Sequence, residues 1–237
     1  MITLLLALAA AAPAAGAARS SATGHPPSNV APARKKAITP SPDAERVIDW
    51  IFASADNHGL PYAVVDKNNA SLFLFSAKGK ALGAVPVLIG VAKGDNATPG
   101  IGSKNLAEIG PAEKTTPAGR FLAKFGLAAD REKVLWVDYA TSVALHPIPL
   151  GASKKEHRRE RLLSPTPDDN RITFGCINAP LAFYSKTVRP LFQRKGGYVY
   201  VMPDTRPLED VFPRLRVEAL ARDGARLTLD QNVVAGK

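Results

Sequence analysis

The stretch Arg171-Ile172-Thr173-Phe174-Gly175-Cys176-Ile177-Asn178 carries the only cysteine of the 237-residue chain. A single thiol cannot form an internal disulfide, so it serves either packing or chemistry. Its neighbours favour chemistry. Gly175 lets the backbone approach a ligand closely. Asn178 adds a polar side chain two residues on. Upstream, the apolar run Val143-Ala144-Leu145 ends in His146, the residue type that takes the proton of a nucleophilic thiol.

The start of the chain sets the compartment expected for that thiol. Leu4 to Ala12 is an unbroken apolar run, and Ala15-Gly16-Ala17 has the form of a signal-peptidase site. The run falls short of the roughly 20 apolar residues a membrane span needs. Residues 1–17 are therefore expected to be a signal peptide. Its cleavage would leave a periplasmic or secreted product with no stable membrane anchor. Hydrophobic residues make up 46% of the chain, enough for one sizeable core, and the net charge is +10. In a cytosolic protein that charge would raise nucleic acid as a partner. In an exported one, anionic envelope polymers are the natural partner, and no nucleic acid is expected. The four histidines (His25, His58, His146, His157) form no His-Glu-x-x-His pair, and one cysteine cannot build a structural zinc site, so no metal is expected. Gly100-Ile101-Gly102 completes neither a dinucleotide fingerprint nor a phosphate-binding loop, so no cofactor is expected.

Residues 18–40 are rich in Pro, Ser, Ala and basic side chains without periodicity, which reads as a disordered linker. A helical segment follows over 41–60. Ser41 is its N-cap, Pro42 its first residue, and Val47, Ile48, Ile51 and Phe52 its apolar stripe. It should end near Asn57-His58-Gly59, with His58 at the negative end of the helix dipole. Strands are predicted over Tyr62–Asp66, Ser71–Ser76, Ala81–Gly90, Arg120–Lys124, Lys133–Asp138, Ser142–His146 and Tyr198–Met202. Pro180–Arg189 reads as a helix, and within the 205–237 tail Val211 to Ala221 is readable as another. Many short strands and few helices predict a mainly β domain of sandwich or barrel type over 61–204.

Five pieces in order then identify a likeness. Ala63-Val64-Val65-Asp66 opens the domain with a hairpin, and Thr116-Pro117-Ala118-Gly119-Arg120-Phe121 fits a T-P-x-G-x-F turn and strand. Val143 to His146, Thr173 to Asn178 and Tyr198-Val199-Tyr200-Val201 follow. From Pro61 to Asp204 the chain resembles the L,D-transpeptidase (YkuD-like) catalytic domain, whose signature is [S/T]-H-G-C-hydrophobic-N. Two features depart from that pattern. Phe174 stands where the signature has His, and thirty positions separate His146 from Cys176, more than the family's common interval. His157, nineteen positions before Cys176, competes as the base on spacing. His146 is preferred because it ends an apolar strand, whereas His157 lies in a charged run.

The resemblance implies a catalytic β-sandwich/barrel with a few short helices, acting on peptidoglycan stem peptides. Cys176 would attack the amide before a terminal D-alanine, with His146 as base, and an amine would resolve the thioester. Water as acceptor gives a peptidase or amidase; an inactive wall-binding module is the third reading. It also implies an oxyanion and substrate region at Thr173, Gly175 and Asn178, with backbone N–H groups of Gly175 and Cys176 as donors. Asn178 and Arg171 would position the strand or a substrate carboxylate, or hold the loop by hydrogen bonds. Tyr139 is expected in the core, with reach to the oxyanion as the alternative. Phe174 is expected beside the thiol. The extra length, Pro147 to Asn170, reads as a basic flap carrying Lys154, Lys155, Arg158, Arg159 and Arg161.

Overall fold

In a computed structural model of the protein, residues 38–128, 132–150, 152 and 154–216 are described. The expected signal peptide, nearly all of the linker and the tail beyond Arg216 lie outside these residues.

Ser41 caps the first helix, α1 (Pro42–Ser54), accepting from Ala44 N at 3.1 Å. Pro42 occupies its first turn, where a missing N–H leaves no bond unmade. Ala44, Val47, Trp50 and Ile51 form the buried stripe. Phe52, expected in that stripe, is 65% exposed and lies against Gly79 instead. The helix ends earlier than the sequence suggests, because Ala55 turns left-handed at φ 51°. His58 is therefore not a helix-end residue. It is itself left-handed (φ 47°), with its ring 5.7 Å from that of Tyr198.

The fold is mainly β. Its strands are β1 (Tyr62–Asp66), β2 (Ser71–Phe75), β3 (Ala81–Pro86), β4 (Ile89–Gly90), β5 (Gly119–Leu127), β6 (Lys133–Asp138), β7 (Val143–Pro147), β8 (Arg171–Thr173), β9 (Ile177–Ala179) and β10 (Gly197–Val201). Eight form one sheet in the order β3-β2-β1-β10-β5-β6-β7-β9, and β4 pairs with β8 in a second. Leu88 and Asn178 exchange two backbone hydrogen bonds, of 2.9 and 2.8 Å, which bring the ends of the large sheet together into a nearly closed barrel. The predicted strand Ala81–Gly90 breaks after Pro86, and Ile89–Gly90 crosses to β8.

β1 and β2 are buried at every position, which explains their near-continuous apolar sequence. One face meets the barrel core of Val65, Leu72, Leu74, Leu135, Leu145, Ile177 and Val199. The other meets α1 through Trp50, Ile51, Val64, Phe73 and Tyr200. The helix predicted to stop at Arg189 runs over 181–192 and passes Pro190 by way of a π turn at Tyr184–Val188. Such a turn accommodates the hydrogen bond that proline cannot donate. In the tail, a short helix covers Leu208–Val211.

One polar cluster lies deep in the fold. Lys67, with a fully buried side chain, sits 3.0 Å from Asp95 and 3.3 Å from Asp204. Asp204 in turn accepts from Arg171 at 2.6 Å.

Candidate active site

Strand register brings the imidazole and the amide onto one face, with the thiol at the entry to β9. β7 and β9 run parallel, with Leu145 opposite Ile177 and His146 opposite Asn178. Leu145 and Ile177 point into the core. Successive side chains take opposite faces, so His146 and Asn178 share the other one, and Cys176 directly precedes β9.

Two threonines hold the turn that presents Cys176. Thr116 Oγ1 donates to Gly175 O (2.8 Å) and accepts from Gly90 N (2.9 Å). Thr173 Oγ1 donates to Cys176 O (2.6 Å) and accepts from Gly175 N (3.2 Å). Gly175 has φ +129°, and a Cβ there would lie 2.7 Å from Thr115 O, so only glycine fits. These contacts correct two expectations. The close approach that Gly175 permits is to the protein's own backbone rather than to a ligand. Its N–H already serves Thr173, which removes it as an oxyanion donor. Thr116, read from sequence only as part of a turn, is a second support of the cysteine loop.

Cys176 is partly exposed, and its Sγ faces Ser142 O at 3.7 Å. Burial pushes the thiol pKa up, while the Ala144 N–H and the charge of Arg158 pull against that rise. His146 Nδ1 lies 2.8 Å from Pro147 O. A carbonyl only accepts, so Nδ1 carries the hydrogen. Nε2 faces Asn178 Nδ2 at 3.2 Å, and Asn178 Oδ1 accepts from Arg158 Nη1 at 2.9 Å. Arg158 begins helix α2 (Arg158–Leu162) within the inserted segment, and its Nε donates to Glu156 at 2.9 Å. In sequence Arg158 is one cation among five in a run that looks solvated. Only the folded insertion shows that it turns inward.

The remaining candidates fall elsewhere. His157 is exposed, left-handed at φ 49°, and immediately precedes α2. Arg171 donates to Asp204 at 2.6 and 3.2 Å with a side chain 7% exposed, so its guanidinium holds the segment at Asp204 and is not open to a substrate carboxylate. Tyr139 is 77% exposed and stands edge-on to Trp136 at 5.3 Å, so it is not a core residue. Phe174 is 39% exposed, and Lys114 Nζ lies 3.7 Å above its ring, a cation–π pair at the rim of the cysteine loop. Lys114 has no sequence signal of its own. Among the described residues, no group of three His, Cys, Asp or Glu is placed to hold a metal ion, and no helix is long and apolar enough to cross a membrane.

No protein-family model and no curated protein matches the chain. Solved structures with a similar arrangement include the catalytic domain of an L,D-transpeptidase from E. faecium, at 19% identity and a TM-score of 0.35. The match covers 60% of this chain and 96% of that one. An L,D-transpeptidase from Xylanimonas cellulosilytica is similar at 12% identity and a TM-score of 0.36, over 60% of each chain. A mutant of the helical cell shape determining protein Pgp2 from Campylobacter jejuni is similar at 11% identity and a TM-score of 0.40, over 62% of this chain and 48% of that one. The match thus spans less than two thirds of the length of the second and third structures.

Proposed function

We propose that the protein is a cysteine acyl-transferase of L,D-transpeptidase type, acting outside the cytoplasm on peptidoglycan stem peptides. The observation that supports this reading is the pairing of His146 with Asn178 across the parallel strands β7 and β9, with Cys176 at the entry to β9 and the charge of Arg158 acting on its thiol. Cys176 attacks the amide carbonyl that precedes the terminal D-alanine. Its proton passes to His146 and then to the departing amine, so D-alanine leaves and a thioester remains. An amine of a second stem attacks the thioester, gives up its proton to His146 and releases the thiol. The Cys176 N–H serves the developing oxyanion. The test of the acceptor is product analysis with and without an added amine. A crosslinked product supports transfer; free tripeptide alone makes the protein a hydrolase.

His146→Ala is expected to reduce turnover about 100-fold or more, the usual contribution of a general base, with His157→Ala nearly silent. Steady-state rates on a tetrapeptide donor check this, and the reverse ranking would move the base to the insertion.

The outer cations of the insertion have a separate role. Arg158 is turned inward, and Arg161 donates to Asp169 O at 3.0 Å. Lys155 and Arg159 are exposed, and the stem is rich in carboxylates. Reversing both to Glu is expected to raise KM for wall fragments at low ionic strength, with the difference fading as salt screens it. Equal KM values at low salt would reduce the segment to a plain surface loop.

A further inference from the structure

A guanidinium can only donate hydrogen bonds, and a carbonyl can only accept them. These two facts orient the whole chain from Arg158 to Pro147. Arg158 Nη1 lies 2.9 Å from the Asn178 side chain, so the atom facing it is Oδ1. The NH2 end of that amide then faces His146 Nε2, at 3.2 Å. Nε2 therefore acts as acceptor, and Nδ1 keeps the hydrogen that it donates to Pro147 O at 2.8 Å. The amide has little freedom to reach this state another way. Asn178 is fully buried, and its own N–H and C=O are both bonded to Leu88.

We propose that Arg158, delivered by the insertion, is a positioning residue that fixes the tautomer and ring orientation of His146 through the Asn178 side chain. The proposal rests on the reading of His146 as the base for Cys176, and in that chemistry the Asn178 N–H withdraws from Nε2 before Nε2 takes the thiol proton. Arg158 donates to Asn178, whose amide faces His146, so it acts through its neighbour. Its charge also helps to hold the thiol pKa down against burial. Charged groups near the site among the described residues include Glu156, bonded to Arg158, and Lys114, which lies on Phe174.

The donor chemistry at position 158 predicts a series. In histidine-labelled wild-type protein at neutral pH, nitrogen NMR should show a single Nδ1–H tautomer for His146, assigned by comparison with His146→Gln. Arg158→Lys, another pure donor, should preserve it. Arg158→Met lets the amide turn over and should give a mixture of tautomers. Repeating Arg158→Met together with Glu156→Gln removes any effect of a stranded carboxylate. Asn178→Asp presents only acceptors to Nε2 and should force the doubly protonated ring. Turnover should fall roughly 10–100-fold in Arg158→Met, the range seen when an outer partner of a metal-bound His is removed, and return in Arg158→Lys. A wild-type spectrum in folded Arg158→Met, or an unchanged neutral ring in Asn178→Asp, would overturn the proposal. The spectra are read without substrate. If the tautomer series holds but the wild type forms no acyl adduct with any donor, the transferase reading fails and the positioning role stands.

Discussion

Cys176→Ala is expected to keep its fold and lose all covalent adduct. The thiol is the chain's only one, and the turn that carries it is held by Thr116, Thr173 and the constrained Gly175 rather than by sulfur. Removing Sγ deletes its contacts to Ser142 O and the Ala144 N–H and leaves those supports in place. Intact-protein mass spectrometry after exposure to a tetrapeptide donor or a carbapenem reads the result directly. Wild type should gain one acyl mass and the variant none. An adduct surviving in Cys176→Ala would place the nucleophile elsewhere and end the cysteine mechanism.

The largest expected effect on stability lies at Asp95. Its carboxylate accepts from Lys67 Nζ, from the backbone N–H groups of Asp204, Thr205 and Arg206, and from the Thr205 hydroxyl, at 2.6 to 3.0 Å. Burial alone would raise its pKa. The hydrogen bonds from Asp204, Thr205, Lys67 and Arg206 outweigh that and hold it well below the usual carboxylate range. Asp95→Ala removes these acceptors and leaves the buried Lys67 with Asp204 as its carboxylate partner beside the Gly94 and Thr116 carbonyls. Breaking a buried ion pair from one side costs about 3–5 kcal/mol, which corresponds to a Tm lower by roughly 10 °C for a chain of this size. The sign with pH follows from the depressed folded-state pKa. The contribution of Asp95 is complete above the unfolded value of about 4 and is lost as pH falls through the folded one. Melting curves should show the full gap between wild type and variant from pH 5 upward and a closing gap below about pH 4. A variant within 1 °C of wild type at neutral pH would show that the cluster contributes little.

The parts of this structure legible in sequence are those where polar turns bracket an apolar run. Tyr62–Asp66 and Lys133–Asp138 are strands with the predicted limits, and Ser41-Pro42 opens α1 as its cap chemistry requires. The strands on either side of Cys176 have three residues each, too short to show a period, and neither was predicted. The pairing of His146 with Asn178 was likewise invisible, because it depends on a parallel register set across a long crossover. Arg171 and Arg158 show the limit most clearly. Both are arginines within polar stretches, yet one is buried against Asp204 and the other reaches the candidate site. Sequence cannot rank them, since the difference lies in which groups the finished fold leaves opposite each.

The middle of the large sheet joins the two ends of the domain, with Tyr62 of β1 opposite Tyr198 of β10. β10 is also the strand that links β1 to β5. A chain in which β10 has not yet formed therefore leaves β1 and β5 with open edges facing each other. Non-local pairing of this kind makes for slow assembly, with the ordering of a long loop required before any contact rewards it. Through that interval the lone thiol stands free of the turn that later encloses it. Oxidation would then couple two immature chains, so the pace of folding governs how much protein keeps this thiol reduced.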